Sequence, residues 1–156
     1  MLKLLDGVVD IYLPDMKFMD SAAAEIYMAG AADYPEKVKK ALLEMHRQVG
    51  LHTTDSEGVA VRGVMIRHLV MPNRVAGTQK FVRWVAANLP TSTYVNIMHQ
   101  YHVDYKAYEY PKSQRSITAE EYLEAMGWAE KVGLTNLDPR SVAVRDFYVT
   151  HQKNDK

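Results

Sequence analysis

Five polar side chains lie at or near the carboxyl ends of three apolar segments. They are Asp15 and Lys17 after the first segment, Arg67 in the second, and Gln100 and His102 after the third. A carboxylate, an ammonium and a guanidinium bind polar ligands through ion pairs and hydrogen bonds. Alternate residues of an extended chain share a face, and sites in parallel α/β proteins form at the carboxyl ends of strands. The spacing therefore predicts a binding site there.

The role of these charges has two interpretations. Asp15 and Lys17 follow Pro14, so they could form an ordinary turn with a solvated ion pair. Arg67 lies inside an apolar strand, and a buried unpaired charge costs several kcal/mol, so it needs an anionic partner. Either a structural carboxylate or a bound ligand would meet that need.

The sequence gives little indication of a metal site or of a covalent catalytic nucleophile. His99 and His102, with His68 or Asp104 as a third ligand, have the residue types of a metal site. Residues i and i+3 of an extended segment point to opposite faces, so surface or hydrogen-bonded histidines are predicted instead. The absence of cysteine excludes disulfides, thiolate zinc sites, cysteine nucleophiles and an iron–sulfur cluster held by this chain's own thiolates. The sequence also lacks a glycine-rich phosphate loop and a Gly-x-Ser-x-Gly elbow.

Composition narrows the class of protein further. The 156 residues carry 19 Lys+Arg and 19 Asp+Glu, so the formal net charge is zero. A nucleic-acid partner is not predicted, because such partners usually require a basic excess. A membrane span is not predicted either, since no apolar stretch approaches the roughly 20 residues that it needs. We expect a cytoplasmic location, because the first residues do not resemble a signal peptide.

Helices and strands alternate along the sequence. Predicted strands cover residues 8–13, 62–71 and 93–99, and predicted helices cover 20–29, 34–49, 77–88 and 118–133. Asp33 with Glu36, and Thr118 with Glu121, have the spacing of a capping box. A small hairpin is predicted at residues 55–58, and a further extended segment at 142–149.

This order predicts an α/β fold, because helices between strands form crossovers to parallel neighbours. Three parallel strands are few, and such a sheet has two exposed edges and two faces that need cover. The pattern therefore indicates part of a barrel or of a larger sheet. We expect residues 1–140 to form one unit and residues 141–156 to form a tail.

Several motifs together resemble a known family. They are YLPDMKF at residues 12–18, DYP at 33–35, EMHRQVG at 44–50, GVMIRHLVMP at 63–72, AGT at 76–78 and YVNIMHQY at 94–101. In this order they are similar to radical S-adenosylmethionine proteins of the pyruvate formate-lyase activating enzyme-like type. The resemblance covers roughly residues 6–134, and it comes from the set of motifs rather than from any single one.

The resemblance implies a partial (β/α)6 TIM-like barrel of which this chain is the C-terminal half. The family's N-terminal half carries a Cys-x3-Cys-x2-Cys loop that holds a 4Fe–4S cluster, and this loop is absent here. The resemblance assigns Asp15 to the floor of the site, Lys17 to the cofactor, and Arg67 to the cofactor's ribose or carboxylate side. It assigns His102 to the cofactor or substrate mouth, and Gln100 is a further candidate for cofactor binding. The family often has arginine where this chain has His102, which changes charge and reach.

The function implied for the intact parent is reductive cleavage of S-adenosylmethionine and hydrogen abstraction from a substrate or partner protein, such as a glycyl-radical enzyme. This chain alone is expected to be inactive and to bind no cofactor tightly. An alternative is a non-enzymatic α/β module that self-associates, or pairs with another half-barrel, through its exposed strand edges. A third is a small-molecule binder that retains weak adenosyl affinity through Lys17 and Arg67.

Overall fold

The computed structural model describes residues 2–152, which form five α-helices and four β-strands. The strands are β1 (Ile11–Tyr12), β2 (Thr53–Thr54), β3 (Ala60–Leu69) and β4 (Tyr94–Met98). The helices are α1 (Ser21–Tyr27), α2 (Tyr34–Val49), α3 (Thr78–Asn88), α4 (Ala119–Lys131) and α5 (Pro139–Gln152). Short 3₁₀ turns lie at Leu2–Leu5 and Tyr105–Glu109.

Strand β3 is the centre of the sheet. It pairs in parallel with β1 and with β4, and its beginning pairs antiparallel with β2. Parallel pairing continues beyond the strands, because Asp15 forms a bridge with Arg67 and Leu137 forms one with Val95. The fold is therefore α/β with a sheet of mainly parallel strands, as predicted, and the sheet does not close on itself.

The two faces of the sheet differ in cover. Val64, Ile66 and His68 of β3 are fully buried, with β4 side chains on the same face, beneath the helices. The opposite face, here called the open face, carries Met65, Arg67 and Leu69, which are only half-buried. Because alternate residues point to opposite sides of a strand, helices cover one side of the sheet and leave the other accessible.

Local sequence signals explain most helix boundaries. Thr118 accepts a hydrogen bond from Glu121 N–H, and the Glu121 carboxylate accepts one from Thr118 N–H, so the predicted capping box begins α4. Gly50 ends α2 at φ 72°, a conformation that favours glycine. The capping box predicted at Asp33 is wrong. Its side chain makes no cap hydrogen bond and pairs instead with Lys37, one helical turn later.

The hairpin predicted at residues 55–58 is confirmed. The Asp55 carboxylate accepts hydrogen bonds from the N–H groups of Glu57 and Val59, and this turn joins β2 to β3. The first strand is shorter than predicted, because residues 8 and 9 donate to Leu5 O in a turn.

The extended segment predicted at 142–149 is wrong, because these residues belong to α5. Asp138 accepts a hydrogen bond from Arg140 N–H, and Pro139 follows it as the first helical residue. Ser141, Val144 and Tyr148 then lie toward the core at helical spacing. These start signals outweigh the β preference of the valines. The last four residues of the predicted tail, 153–156, lie outside the described residues.

Candidate functional site

Asp15, Lys17 and Arg67 form one charged cluster on the open face. Arg67 Nε donates to Asp15 Oδ1 at 2.7 Å, and Lys17 Nζ lies 3.5 Å from Asp15 Oδ2. The side chains of Arg67 and Asp15 are 38% and 31% exposed, so solvent reaches the pair. Arg67 thus has a structural carboxylate as its anionic partner. The rest of the Arg67 guanidinium and the Lys17 side chain, which is 55% exposed, are accessible to a ligand.

These charges line a cleft of about 430 Å³ at the carboxyl ends of the parallel strands, here called the strand-end cleft. Its lining consists of the charged cluster, one amide and mostly apolar side chains: Asp15, Met16, Lys17, Phe18, Arg67, Leu69, Met71, Met98, Gln100 and Tyr101. Volumes of 300–1,000 Å³ with few polar groups in an apolar lining are typical of small-molecule sites. Met71 and Met98 contribute half-buried side chains to this lining.

His102 lies apart from the charged cluster, in a neighbouring cleft of about 450 Å³. This second space, here called the tyrosine cleft, is lined largely by aromatic rings, among them Tyr27, Tyr101, Tyr105 and Tyr110. Both clefts share Phe18, Met71 and Tyr101 in their linings. Of the five predicted site residues, four therefore line one cleft and His102 lines the adjoining one.

His68 is a structural residue and not a metal ligand. Its Nδ1 lies 2.7 Å from Met16 O and its Nε2 lies 2.9 Å from Thr78 Oγ1. A carbonyl only accepts, so Nδ1 carries the hydrogen, and the neutral ring accepts from the Thr78 hydroxyl. Complete burial lowers the pKa of His68 to about 4. Among residues 2–152, no three His, Cys, Asp or Glu side chains are arranged to hold a metal ion.

The loop after β3 is held by a second polar network. Glu121 accepts a hydrogen bond from Asn73 N–H at 2.7 Å and pairs with Arg115. The Arg115 guanidinium beside it lowers the pKa of Glu121 to about 2, so its charge persists. Asn73 and Arg74 both have positive φ, at 56° and 59°, which is costly for residues other than glycine. The network stabilises this backbone close to Met71 of the two clefts.

Tyr34 is a site residue that the sequence did not reveal. Its hydroxyl donates to Asp15 O at 2.8 Å and accepts from Lys17 N–H at 2.9 Å. Burial raises the pKa of Tyr34 above its ordinary value. The contact joins the first residue of α2 to the segment after β1, and no local periodicity signals such a contact between distant residues.

These observations define an α/β chain with a parallel sheet, one open face and a charged cleft at the strand ends. The cleft offers binding groups, whereas no nucleophile with an adjacent base is found in it. No helix among the described residues is long and apolar enough to cross a membrane.

A curated protein of Methanocaldococcus jannaschii, which is itself uncharacterised, is 38% identical to the chain over 132 residues. The match covers 84% of the chain and 34% of that protein, so the chain spans about a third of the length of this relative. No family model matches the chain. No solved structure gives a significant match.

Proposed function

We propose that this chain is the C-terminal half of a partial barrel of the radical S-adenosylmethionine type, similar to pyruvate formate-lyase activating enzyme-like proteins. Its open face would line the interior of the barrel, and its strand-end cleft would hold part of S-adenosylmethionine. The intact parent would act in the cytoplasm on a substrate or partner protein, such as a glycyl-radical enzyme. The chain alone would be inactive.

The observation that carries this proposal is the charged cluster on the open face of a parallel sheet. The parallel strands lie side by side in the sheet in the same order as in the chain, β1, then β3, then β4. The segment around Leu137 pairs in parallel with β4 and adds a fourth position in that order. Such an order without reversal, with helices on one face, is the arrangement of a barrel wall. In a closed or partial barrel, the half-buried side chains Met65, Arg67 and Leu69 would point inward.

The donor set of the cleft fits the polar parts of S-adenosylmethionine. Lys17 and the free nitrogens of Arg67 suit a carboxylate, and the Asp15 carboxylate suits an ammonium or ribose hydroxyls. Leu69, Met71 and Met98 supply apolar surface for the rest of the ligand. The chain's role in this proposal is therefore to bind and orient, while the cofactor supplies the hydrogen-abstraction chemistry after reductive cleavage.

The residues do not fit the iron–sulfur cluster. The sequence has no cysteine, and thiolates are the usual ligands of such clusters. Cluster ligands would have to come from another part of the parent. The relative's greater length is compatible with such a part.

Two measurements on the isolated chain test the proposal. After anaerobic reconstitution with iron and sulfide, we expect no cluster absorbance and no formation of 5′-deoxyadenosine. Calorimetry with S-adenosylmethionine should give binding no tighter than about millimolar, because half of the pocket is missing and preorganisation is lost. Clear turnover, or micromolar binding by this chain alone, would contradict the half-barrel hypothesis.

A second candidate is a non-enzymatic module that self-associates. It is favoured by exposed apolar side chains along the first strands, where Ile11, Leu13 and Val61 are 37%, 50% and 47% exposed. Unpaired strand edges with such side chains are templates for pairing. Light scattering distinguishes the candidates: a discrete dimer independent of S-adenosylmethionine supports the module, and a folded monomer contradicts it.

A further inference from the structure

The segment after β1, residues 13–17, forms the outer edge of the sheet. On its inner side it pairs with β3, because Arg67 N–H donates to Pro14 O and Met16 N–H donates to Arg67 O. In a parallel ladder, alternate residues point their backbone groups to opposite edges. The backbone groups of Asp15 and Lys17 therefore face away from β3. Within residues 2–152, no strand pairs with β1 on that outer side.

The Tyr34 hydroxyl occupies the place of a strand residue at this edge. On the inner edge, the single residue Arg67 donates to Pro14 O and accepts from Met16 N–H. On the outer edge, the Tyr34 hydroxyl donates to Asp15 O and accepts from Lys17 N–H, at 2.8 and 2.9 Å. One side-chain hydroxyl thus supplies the same donor and acceptor pair that a residue of a parallel neighbour would supply.

We propose that Tyr34 is a positioning residue of the strand-end cleft. By fixing the backbone of residues 15–17 on the side that lacks a strand, it holds the Asp15 carboxylate against Arg67 and directs Lys17 to the cleft. Only the identity of the bound ligand rests on the function proposed above. Tyr34 also limits what can pair with this edge. A strand from a partner could pair with the backbone of Ile11 and Leu13, but it would have to end before Asp15, whose carbonyl is bonded to Tyr34. The strand-end cleft would then stay open.

The chain offers a matched control at the other end of the same helix. Tyr12 of β1 donates its hydroxyl to Gln48 Oε1 of α2 at 2.6 Å, in a buried contact. Both tyrosine hydroxyls join the β1 region to α2, and only Tyr34 contacts the residues of the cleft. Loss of the Tyr12 hydroxyl therefore reports on stability, and loss of the Tyr34 hydroxyl reports on stability and on positioning.

The experiment compares Tyr34→Phe with Tyr12→Phe in the full chain by NMR and urea unfolding. In Tyr34→Phe we expect hydrogen exchange of the Lys17 amide to accelerate about tenfold, the change that follows from one lost hydrogen bond. The Arg67 Nε–H signal should also shift. In Tyr12→Phe, both signals should stay as in the wild type, even when the unfolding midpoint falls further.

S-adenosylmethionine at millimolar concentration is the ligand probe, followed by chemical shifts. Its dissociation constant should rise about threefold or more in Tyr34→Phe and stay unchanged in Tyr12→Phe. The positioning role is overturned when Tyr34→Phe leaves Lys17 exchange and the Arg67 signal unchanged, or when Tyr12→Phe alters them equally. Absence of millimolar binding to the wild type contradicts the placement of S-adenosylmethionine in the strand-end cleft, and the exchange measurements still decide the role of Tyr34.

Discussion

At the scale of single residues, Asp15 organises the candidate site. It accepts a hydrogen bond from Arg67 and lies near Lys17, so one carboxylate pairs with two cations and the cluster keeps a net positive charge. Each of these groups is partly exposed, and ion pairs of this kind contribute at most about 1 kcal/mol to stability. The cluster therefore matters more for the arrangement of charges in the cleft than for the fold.

The first prediction concerns this carboxylate. Asp15→Asn should lower the free energy of unfolding by no more than about 1 kcal/mol, because solvent screens the pair. It should also release Arg67, which NMR detects as faster exchange of its Nε–H. Asp33→Asn is the control, since Asp33 pairs with Lys37 on the exposed surface of α2. A loss of several kcal/mol in Asp15→Asn would contradict a mainly local role.

The second prediction concerns His68. Its pKa is about 4 in the folded chain, against about 6.5 for an unfolded histidine. Below pH 6.5 the unfolded state therefore binds a proton that the folded state does not, so stability falls with falling pH. Between pH 7 and pH 5 the loss from this residue should be about 2 kcal/mol.

Urea unfolding at both pH values measures that loss. His68→Gln should be less stable at pH 7, because the buried contacts to Met16 and Thr78 change. Its stability should depend far less on pH over the same interval. Glu44 and Glu121, whose pKa values are lowered to about 2, lose their contribution mainly below pH 4.5, outside this window. An equally steep dependence in His68→Gln would assign the effect to another group.

At the scale of elements, Gly63 allows β3 to lie against the backbone of Leu51 and His52, which precede β2. Its φ is 118°, and a Cβ at this position would lie 2.4 Å from Leu51 O and 2.5 Å from His52 Cα. Both obstacles are backbone atoms, which do not move aside easily. The close approach lets Val64 N–H donate to Gly50 O, which connects the end of α2 to the sheet.

The third prediction follows from this contact. Gly63→Ala should destabilise the chain by about 3 kcal/mol or more, because a steric clash adds to an unfavourable backbone conformation. Thermal unfolding followed by circular dichroism measures the effect. Gly127→Ala is the control, since Gly127 lies within α4 and a Cβ there meets no atom within 4 Å. That variant should be neutral or more stable by up to about 1 kcal/mol. Equal stability of the two variants would contradict the close approach.

Local signals predicted the elements better than the contacts between them. The capping box at Thr118 gave the position of α4, because it depends only on neighbours in sequence. The valines of α5 led to the wrong prediction of an extended segment. The β preference of valine is weak, and the helix start at Asp138 outweighed it. Alternation along the strands placed Asp15, Lys17 and Arg67 on one face. Tyr34 could not be predicted, since its role depends on how α2 returns to the sheet edge.

At the scale of the whole molecule, the sheet has unequal faces. The covered face contributes fully buried side chains such as Ile66 and Val95, whereas the open face exposes half of Leu13. In a monomeric chain, most apolar burial therefore comes from the side that helices cover. The uncovered side is then available to a partner or to the rest of a longer protein.

The fourth prediction tests this asymmetry. Leu13→Asn on the open face should change the free energy of unfolding by less than about 1 kcal/mol, because the side chain is already 50% exposed. Leu42→Asn in α2 should cost at least about 3 kcal/mol, because Leu42 is fully buried and the amide would lack partners. Urea unfolding of the monomer measures both. A large loss in Leu13→Asn would indicate that this face is covered in solution, by self-association.

The brevity of β1 also has a consequence for ligand binding. Pro14 lacks an N–H, so the regular ladder stops after Tyr12, and one bridge between Asp15 and Arg67 continues it. The charged cluster is complete only while this short segment is docked, so an opening of the segment would separate Asp15 and Lys17 from Arg67. A ligand that spans these charges would then act as a folding cofactor for the N-terminal segment, and occupancy would be coupled to its order.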